Sequence, residues 1–292
     1  MPPRIAIPMP HSMDRDYSER SIPQYELAVQ QAGGQPVRVP LDQPTEETKD
    51  IIAHCDGVLL PGSGADVDPA KFNATRSSHT APADIRRDAG DRLLLEDAYR
   101  QRKPILGICD GLQSLNVYRA GSLVQHIPDF LPQELRGAVD HEAGRKVAIA
   151  HAVEIADDSR LAEIVGGKNR EGHDFSRAGG FRQTRESGPL EPALSLSKGP
   201  RKVAQIARAS APEEKLTLPV NSSHHQSADK MGNGLRISAR CTADGIIEAL
   251  EGTELDHFVL AVQWHPERSI ENDEPSRALF AALVEAAAAR KK

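Results

Sequence analysis

The sequence predicts an α/β fold with a largely parallel sheet, and three observations support this prediction. Over residues 1–130, short apolar segments alternate with longer amphipathic segments. The apolar segments are continuous rather than alternating, which is typical of strands that helices cover on both faces. In the second half of the chain, apolar segments follow one another without helices between them, which favours antiparallel pairing. We therefore expect one layered domain, 1–292, with a mostly parallel central sheet and an antiparallel extension.

The first half supports this prediction element by element. Residues 4–8 form an apolar strand, and residues 17–32 carry apolar side chains at helical spacing until Gly33 and Gly34 stop the helix. The alternation continues with predicted strands at 36–40, 57–60 and 104–108, and with predicted helices at 45–53, at 84–102 and between Leu112 and Gly121.

The second half has a different pattern. Its predicted strands lie at 148–155, 235–239, 246–250 and 258–263. An Ala-rich helix at 275–290 closes the chain, with a proline near its start and basic residues at its end. Between these parts, residues 168–208 hold nine Lys or Arg against four Asp or Glu, and no apolar periodicity. We predict a flexible, exposed insertion at about 168–214, with a basic nucleic-acid-binding arm as the alternative.

Composition excludes several classes of protein. The 292 residues include 36 Lys and Arg against 42 Asp and Glu, and only 4% are aromatic, which argues against a nucleic-acid partner. No apolar run approaches the ~20 residues of a membrane span, and the N-terminus lacks the apolar core of a signal peptide.

The three cysteines are few, odd in number and far apart, so we expect a cytoplasmic protein without disulfides or a clustered metal site. A homodimer is the default oligomer.

The strongest chemical signal is Gly-Ile-Cys-Asp-Gly at residues 107–111, where a predicted strand becomes a helix. Glycines on both sides of Cys109 allow a sharp turn that exposes a nucleophile at the end of the strand. The dipole of the following helix favours a thiolate, and the N–H of Asp110 would point at the oxygen of an attacked carbonyl. The alternative is a small buried cysteine that only packs. Cys55 and Cys241 lack such glycines and are weaker candidates.

A cysteine nucleophile needs a base, and the base needs an orienting partner. His265 follows a predicted strand that would end on the same edge of the sheet as Cys109, and Glu267 is close enough to hold the imidazole tautomer. A histidine after a strand is by itself more often a surface residue. The combination of His265 with Cys109 is what favours a catalytic role for this histidine.

A glycine-rich turn leaves another predicted strand at Gly62, Ser63 and Gly64. Such a turn can present backbone N–H groups to an oxyanion. A phosphate-binding loop is the alternative, although the lysine and hydroxyl of the P-loop pattern are absent.

Four ordered segments together resemble the class I glutamine amidotransferase-like superfamily. They are Pro-Gly-Ser-Gly-Ala-Asp-Val-Asp-Pro from residue 61, Gly-Ile-Cys-x-Gly-Leu-Gln from 107, Asn-Ser-x-His-His-Gln from 221 and Val-Gln-Trp-His-Pro-Glu from 262. Within the superfamily the chain most resembles the γ-glutamyl-γ-aminobutyrate hydrolases of the peptidase C26 group. The resemblance covers most of the chain except the basic insertion, and it implies a three-layer, flavodoxin-like α/β sandwich.

The resemblance also implies residue roles. Cys109 would be the nucleophile, His265 the general base and Glu267 its orienting partner. The thiolate would attack a γ-glutamyl amide, and water would then hydrolyse the γ-glutamyl thioester to glutamate. No metal or cofactor is implied, and the expected partner is a small γ-glutamyl substrate. The remaining expected oxyanion and substrate-side residues are Gly62, Ser63, Gly64, Asp110, Gln113, His224 and His225.

Two features qualify these implications. The superfamily often has Arg after the nucleophile, where this chain has Asp110. Facing inward, a carboxylate there would raise the pKa of the thiol, but we expect it to face solvent. His224 and His225 lack a Cys or carboxylate at ligand spacing, so we expect substrate-side or structural roles rather than metal binding.

Three functions are therefore weighed. The leading hypothesis is a stand-alone cysteine hydrolase of γ-glutamyl amides. The second is a glutaminase that passes ammonia to a separate synthetase. The third is a catalytically silent binding protein on the same fold, which the unusual Asp110 would explain.

Overall fold

The structure is a computed structural model that describes residues 1–166 and 215–290. The insertion predicted at 168–214 lies outside the described residues. The strands are β1 (Arg4–Pro8), β2 (Gln35–Val39), β3 (Gly57–Leu60), β4 (Ile105–Ile108), β5 (Leu123–Val124), β6 (His151–Ile155), β7 (Thr217–Val220), β8 (Ser227–Ala228), β9 (Leu235–Cys241), β10 (Ile247–Gly252) and β11 (Val259–Val262). The α-helices are α1 (Arg15–Gln31), α2 (Thr45–Ala53), α3 (Ile85–Gln101), α4 (Asp110–Tyr118), α5 (Ile127–Phe130), α6 (Arg160–Val165) and α7 (Glu274–Arg290).

The main sheet of the described residues has the strand order β2-β1-β3-β4-β11-β10-β9-β6-β7. The first five strands in this order are parallel to one another. The other four join by antiparallel pairing. The predicted parallel sheet with an antiparallel extension is therefore confirmed.

Helices cover both faces of the parallel strands, which makes the three layers. Along β3, Leu59 packs into the core shared with α1, α6 and α7, whereas Val58 and Leu60 pack into the core shared with α2, α3 and α4. All three side chains are fully buried. A strand covered on both faces has no polar side to alternate with, which is why the apolar segments are continuous.

The sequence pattern missed several short elements. β7 consists of Thr-Leu-Pro-Val and lies at the edge of the sheet, the position at which a proline such as Pro219 is tolerated. β5 and β8 form a separate two-stranded sheet and have two residues each, too few for any periodicity. None of the described helices is long and apolar enough to span a bilayer.

Candidate active site

Cys109 lies at the sharp turn between β4 and α4. Its backbone has φ 55° and ψ −106°, a strained conformation for a residue with a side chain. Its N–H donates to the carbonyl of Val262 at 2.8 Å, which ties the turn to the end of β11. A Cβ at Gly111 would overlap the carbonyl of Leu60, and one at Gly107 would lie 2.8 Å from the carbonyl oxygen of Gly111. The flanking glycines are therefore required by close backbone packing.

His265 lies just beyond β11, which pairs in parallel with β4, so both strands end at the same edge of the sheet. Its Nδ1 is 2.8 Å from Glu267 Oε1, and both side chains are almost fully buried. Burial opposes ionisation of Glu267, but the neighbouring His265 keeps the pKa of that carboxyl below its usual value. An ionised carboxylate only accepts hydrogen bonds, so Nδ1 carries the proton and Nε2 keeps a free lone pair. Burial also lowers the pKa of His265, which keeps the imidazole neutral.

Gly62 lies between these two side chains. A Cβ there would be 2.9 Å from His265 Cε1 and 3.5 Å from the Cβ of Cys109, so both residues border the space that the glycine leaves open. The N–H of Gly62 donates to the hydroxyl of Tyr25 at 3.1 Å. That amide is already engaged, so Ser63 and Gly64 are the better candidates in this turn for contact with an oxyanion.

Asn221 holds the backbone of His265 from both sides. Its Oδ1 accepts from the His265 N–H at 2.9 Å, and its Nδ2 donates to the His265 carbonyl at 2.8 Å. Sequence reasoning quoted Asn221 only as part of a motif and assigned it no role. Its two contacts cross 44 residues of sequence, and no spacing pattern indicates such a pairing.

A cavity of about 230 Å³ opens above Cys109. Its wall contains most of the residues that the sequence analysis predicts to be catalytic or substrate-binding. It also contains acidic residues to which the sequence analysis assigns no role. The lining includes Ser63, Gly64, Asp66, Cys109, Asp110, Gln113, Glu142, His224 and His225. His265 and Glu267 do not line it and lie buried beside it.

Asp110 contradicts our expectation that its side chain faces solvent. It is only 7% exposed, and its Oδ2 lies 3.3 Å from a guanidinium nitrogen of the buried Arg87. Arg87 also donates to Asp91 at 2.7 Å and to the carbonyl of Pro61 at 2.6 Å. This buried cation draws the carboxylate inward, and nothing in the pattern of the α3 segment distinguishes Arg87 from the solvated charges around it.

Burial and Asp110 both act on the thiol. Burial, followed by the charge of Asp110, raises the pKa of Cys109 to about 12. Burial likewise raises the pKa of Asp110 to about 7, against the opposing effect of Arg87. A thiol with so high a pKa is neutral at pH 7, and a neutral thiol can act as a nucleophile only with a base to take its proton.

The remaining predicted residues have defined partners. His225 Nε2 lies 3.1 Å from Asp66 Oδ1, and that contact raises the pKa of His225. Gln113 donates its amide to the carbonyl of Gln226 at 3.2 Å and to the side chain of Gln263 at 3.3 Å. Those bonds direct the Gln113 amide into the protein, so this residue shapes the cavity floor.

Two solved structures share this architecture. A candidate GMP synthase component of Thermoplasma acidophilum superposes with a TM-score of 0.57 at 13% identity, covering 100% of this chain and 96% of that one. The glutaminase domain of Trypanosoma brucei CTPS superposes with a TM-score of 0.51 at 18% identity, covering 97% and 93%. At these identities the likeness shows the fold alone.

Sequence relatives cover almost the same span. A glutamine amidotransferase-like protein of Rickettsia prowazekii is 31% identical over 274 residues, or 90% of this chain and 87% of that protein. The γ-glutamyl-γ-aminobutyrate hydrolase PuuD of Escherichia coli is 27% identical over 267 residues, covering 90% and 84%. A Mycobacterium tuberculosis protein named as a candidate glutamine amidotransferase is 33% identical, and the match spans 90% of this chain but only 66% of that protein.

The family match agrees with the fold and with these relatives. The sequence model of the Peptidase C26 family matches residues 5–173 and 199–267, and the gap between the two matched parts lies within the insertion predicted at 168–214. These matched residues include Cys109, His265 and Glu267 and make up well over half of the chain. The chain therefore belongs to the Peptidase C26 family.

Proposed function

We propose that the protein is a cysteine hydrolase of γ-glutamyl amides, with Cys109 as nucleophile, His265 as base and Glu267 as its orienting partner. The observation that carries the proposal is the strained turn of Cys109 beside a neutral imidazole whose far nitrogen is held by a buried carboxylate. A thiol, a base and an orienting group in this relation form the general constellation for acyl transfer. The hydrolase name of the Escherichia coli relative supports the same class of reaction.

In the first half of the reaction, Nε2 of His265 takes the proton of the Cys109 thiol as sulfur attacks the γ-carbonyl carbon. The carbonyl electrons move to oxygen, and backbone N–H groups of Ser63, Gly64 and Asp110 are the candidate donors to that oxyanion. When the C–N bond breaks, the imidazolium returns its proton to the leaving nitrogen. A free amine departs, and a γ-glutamyl thioester remains on Cys109.

In the second half, a water molecule replaces the amine. His265 takes one proton from the water as its oxygen attacks the thioester carbonyl. The C–S bond then breaks, sulfur recovers the proton from the imidazolium, and glutamate leaves with the oxygen of water in its γ-carboxylate. Glu267 stays ionised throughout and stabilises the imidazolium that forms twice.

The charge of the cavity wall indicates which amine leaves most readily. Asp66, Asp110 and Glu142 contribute carboxylates to the wall, and the side chains among its lining residues that can carry a positive charge are the imidazoles of His224 and His225. Asp66 is paired with His225 and Asp110 with Arg87, so Glu142 is the wall carboxylate that would repel a leaving amine with its own carboxylate, such as γ-aminobutyrate. We therefore expect γ-glutamyl derivatives of diamines or neutral amines to be cleaved with higher kcat/KM than γ-glutamyl-γ-aminobutyrate.

The test is glutamate release from a panel of γ-glutamyl amines, γ-glutamyl-γ-aminobutyrate, γ-glutamyl peptides and glutamine. Cys109→Ala is compared with Cys55→Ala, a matched control because Cys55 is also buried but lies outside the cavity. We expect the first variant to lose activity and the second to keep it. Mass spectrometry of a rapidly quenched wild-type reaction should also detect a γ-glutamyl adduct on Cys109.

Two other outcomes of the glutamate-release assay would indicate a different function. Cleavage of glutamine alone would indicate a glutaminase that serves a separate synthetase, as the amidotransferase names of the relatives allow. A folded wild-type protein that releases no glutamate from any substrate would overturn the proposal in favour of a silent binding protein.

A further inference from the structure

Four buried side chains meet at the wall of the cavity, and the proposed reaction uses none of them. They are His141, His151 on β6, His224 between β7 and β8, and Glu248 on β10. Their side chains are at most 4% exposed. His141 Nδ1, His151 Nε2 and His224 Nε2 lie 3.4, 3.3 and 3.6 Å from the same oxygen, Glu248 Oε1. Four separate segments thus direct one ligand atom each towards a common point.

The opposite ring nitrogens are held by acceptors. His141 Nε2 is 2.8 Å from the Asp244 carboxylate, and His224 Nδ1 is 2.9 Å from the carbonyl of Gln226. His151 Nδ1 faces the carbonyl of the next residue at 3.4 Å. An acceptor at one ring nitrogen places the proton there and leaves a lone pair on the other. Such outer hydrogen bonds are the usual means by which proteins orient metal-binding histidines.

The inward atoms are otherwise unsatisfied. Within the described residues, the three inward nitrogens and both oxygens of Glu248 have no hydrogen-bond partner. Their separations from Glu248 exceed the usual 2.7–3.2 Å of an N–H···O bond, so direct hydrogen bonding does not account for the arrangement. A buried carboxylate facing three imidazoles needs positive charge, which either protons on the rings or a bound cation must supply.

We propose that His141, His151, His224 and Glu248 bind a divalent transition metal ion, for which Zn²⁺ is the best match. Bonds of about 2.0–2.1 Å in a tetrahedral site put neighbouring ligand atoms about 3.3–3.4 Å apart. The three nitrogen–oxygen separations, 3.3–3.6 Å, agree with such edges. Three imidazoles and one carboxylate are ligands that zinc accepts, and a complete set of four protein ligands is typical of a structural site.

The position of the cluster indicates what the metal does. His224 belongs both to the cluster and to the cavity wall, and Asn221, which holds the backbone of His265, stands three residues earlier. A metal on His224 would fix this segment relative to β6 and β10. The binding proposal itself does not depend on the proposed hydrolase activity, because metal content is measured without substrate.

Sequence reasoning set His224 aside because no carboxylate stands at ligand spacing. The carboxylate is on β10, whose pairing with β9 and β11 brings Glu248 beneath the histidines. A ligand set assembled from four distant segments has no spacing motif.

The first experiment measures metal in the full-length protein, produced with added zinc and purified without a histidine tag. We expect elemental analysis to find about one zinc per chain in the wild type, and next to none in Glu248→Gln, which removes the charge at nearly constant shape. His257→Gln is the matched control, because His257 is a buried histidine outside the cluster, bonded to the carbonyl of Lys103. It should retain the metal.

A second measurement covers the case in which Glu248→Gln fails to fold. Chelated wild-type protein is loaded with Co²⁺, which absorbs strongly in the visible range when bound in a tetrahedral site, and its Tm is recorded with and without Zn²⁺. We expect the absorption and a rise in Tm. Two results would overturn the proposal. One is a wild type that contains no metal and shows neither response, which would assign the cluster to protonated histidines. The other is equal zinc content in the wild type and in folded Glu248→Gln.

Discussion

At the scale of single residues, Asp110 is the side chain that most changes the chemistry of this site. Its carboxylate is paired with the buried Arg87 and raises the pKa of the Cys109 thiol, at a position where the superfamily often has an arginine. A negative charge there opposes thiolate formation, which is why the proposed mechanism uses His265 as a base rather than a preformed thiolate. Two predictions follow from this one carboxylate.

The first concerns reactivity. Asp110→Asn removes the charge that helps to raise the pKa of Cys109, so alkylation of this thiol by iodoacetamide should begin at lower pH than in the wild type. The pH dependence of the alkylation rate is the measurement, and Cys109→Ala provides the background from Cys55 and Cys241. An unchanged pH midpoint would mean that Asp110 does not act on the thiol.

The second concerns stability. The Asp110 carboxyl has a pKa of about 7 in the folded protein, against about 3.9 in an unfolded chain. A carboxyl with a raised folded pKa contributes stability that is complete below pH 4 and is lost as the pH rises through 7. Asp110→Asn should therefore melt at a higher temperature than the wild type at pH 8, and the difference should shrink at pH 4. A variant that melts lower at pH 8 would contradict the raised pKa.

We propose Asn221 as a positioning residue that acts through His265. Asn221→Ala removes both hydrogen bonds that hold the His265 backbone, and we expect kcat to fall by roughly 100-fold with little change in KM. Asn221→Asp keeps the acceptor for the His265 N–H and should recover part of the loss. Asn272→Ala, at an exposed position, is the control. A rise in KM at constant kcat would instead indicate a role in substrate binding.

At the scale of elements, the turn between β4 and α4 depends on glycine. α4 packs so closely on β3 that a methyl group at Gly111 overlaps the backbone of Leu60. Such contacts are with backbone atoms, which cannot rotate away as a side chain can. The same closeness positions the N-terminus of α4 at Cys109.

Gly111→Ala should accordingly destabilise the protein by about 1–3 kcal/mol or more, because the overpacked helix must move away from the sheet. Gly64→Ala is the matched control, since a Cβ there meets nothing within 4 Å and its backbone φ is ordinary. Chemical denaturation of both variants is the measurement. Equal stability of the two variants would show that α4 can shift without cost.

At the scale of the whole molecule, the described residues close the sheet on either side of the predicted insertion. α6 ends at Val165 and β7 begins at Thr217, and β7 pairs with β6, which precedes α6. The family match likewise stops at residue 173 and resumes at 199. The core and the cavity of the described residues are therefore built from segments before and after this one.

Deleting residues 172–201 should leave a protein that folds cooperatively, because shortening a connection between two elements changes its closure entropy only slightly. We expect Tm to change by less than about 4 °C, because roughly 1 kcal/mol shifts the Tm of a domain of 150–250 residues by about 2–4 °C. Calorimetry and glutamate release from the best substrate are the measurements. A loss of cooperativity or a much lower Tm would show that the segment contributes to the core.

The sequence by itself determined the parts of this protein that depend on local pattern. Continuous apolar segments predicted the covered sheet, and glycines beside Cys109 together with His265 and Glu267 predicted the candidate triad. These features can be predicted from the sequence because the residues that form a strand, a turn or a hydrogen-bonded His–Glu pair are close together in the chain. Elements without enough residues for a period, such as β5 and β8, left no such signal.

Only the tertiary structure decided what distant segments do to one another. It turned Asp110 inward because Arg87 on another helix is buried there, and it set Asn221 against the backbone of His265. It also brought Glu248 among three histidines from separate segments. Such pairings depend on strand order and register, which are fixed by the burial of the whole sheet and not by any spacing along the chain.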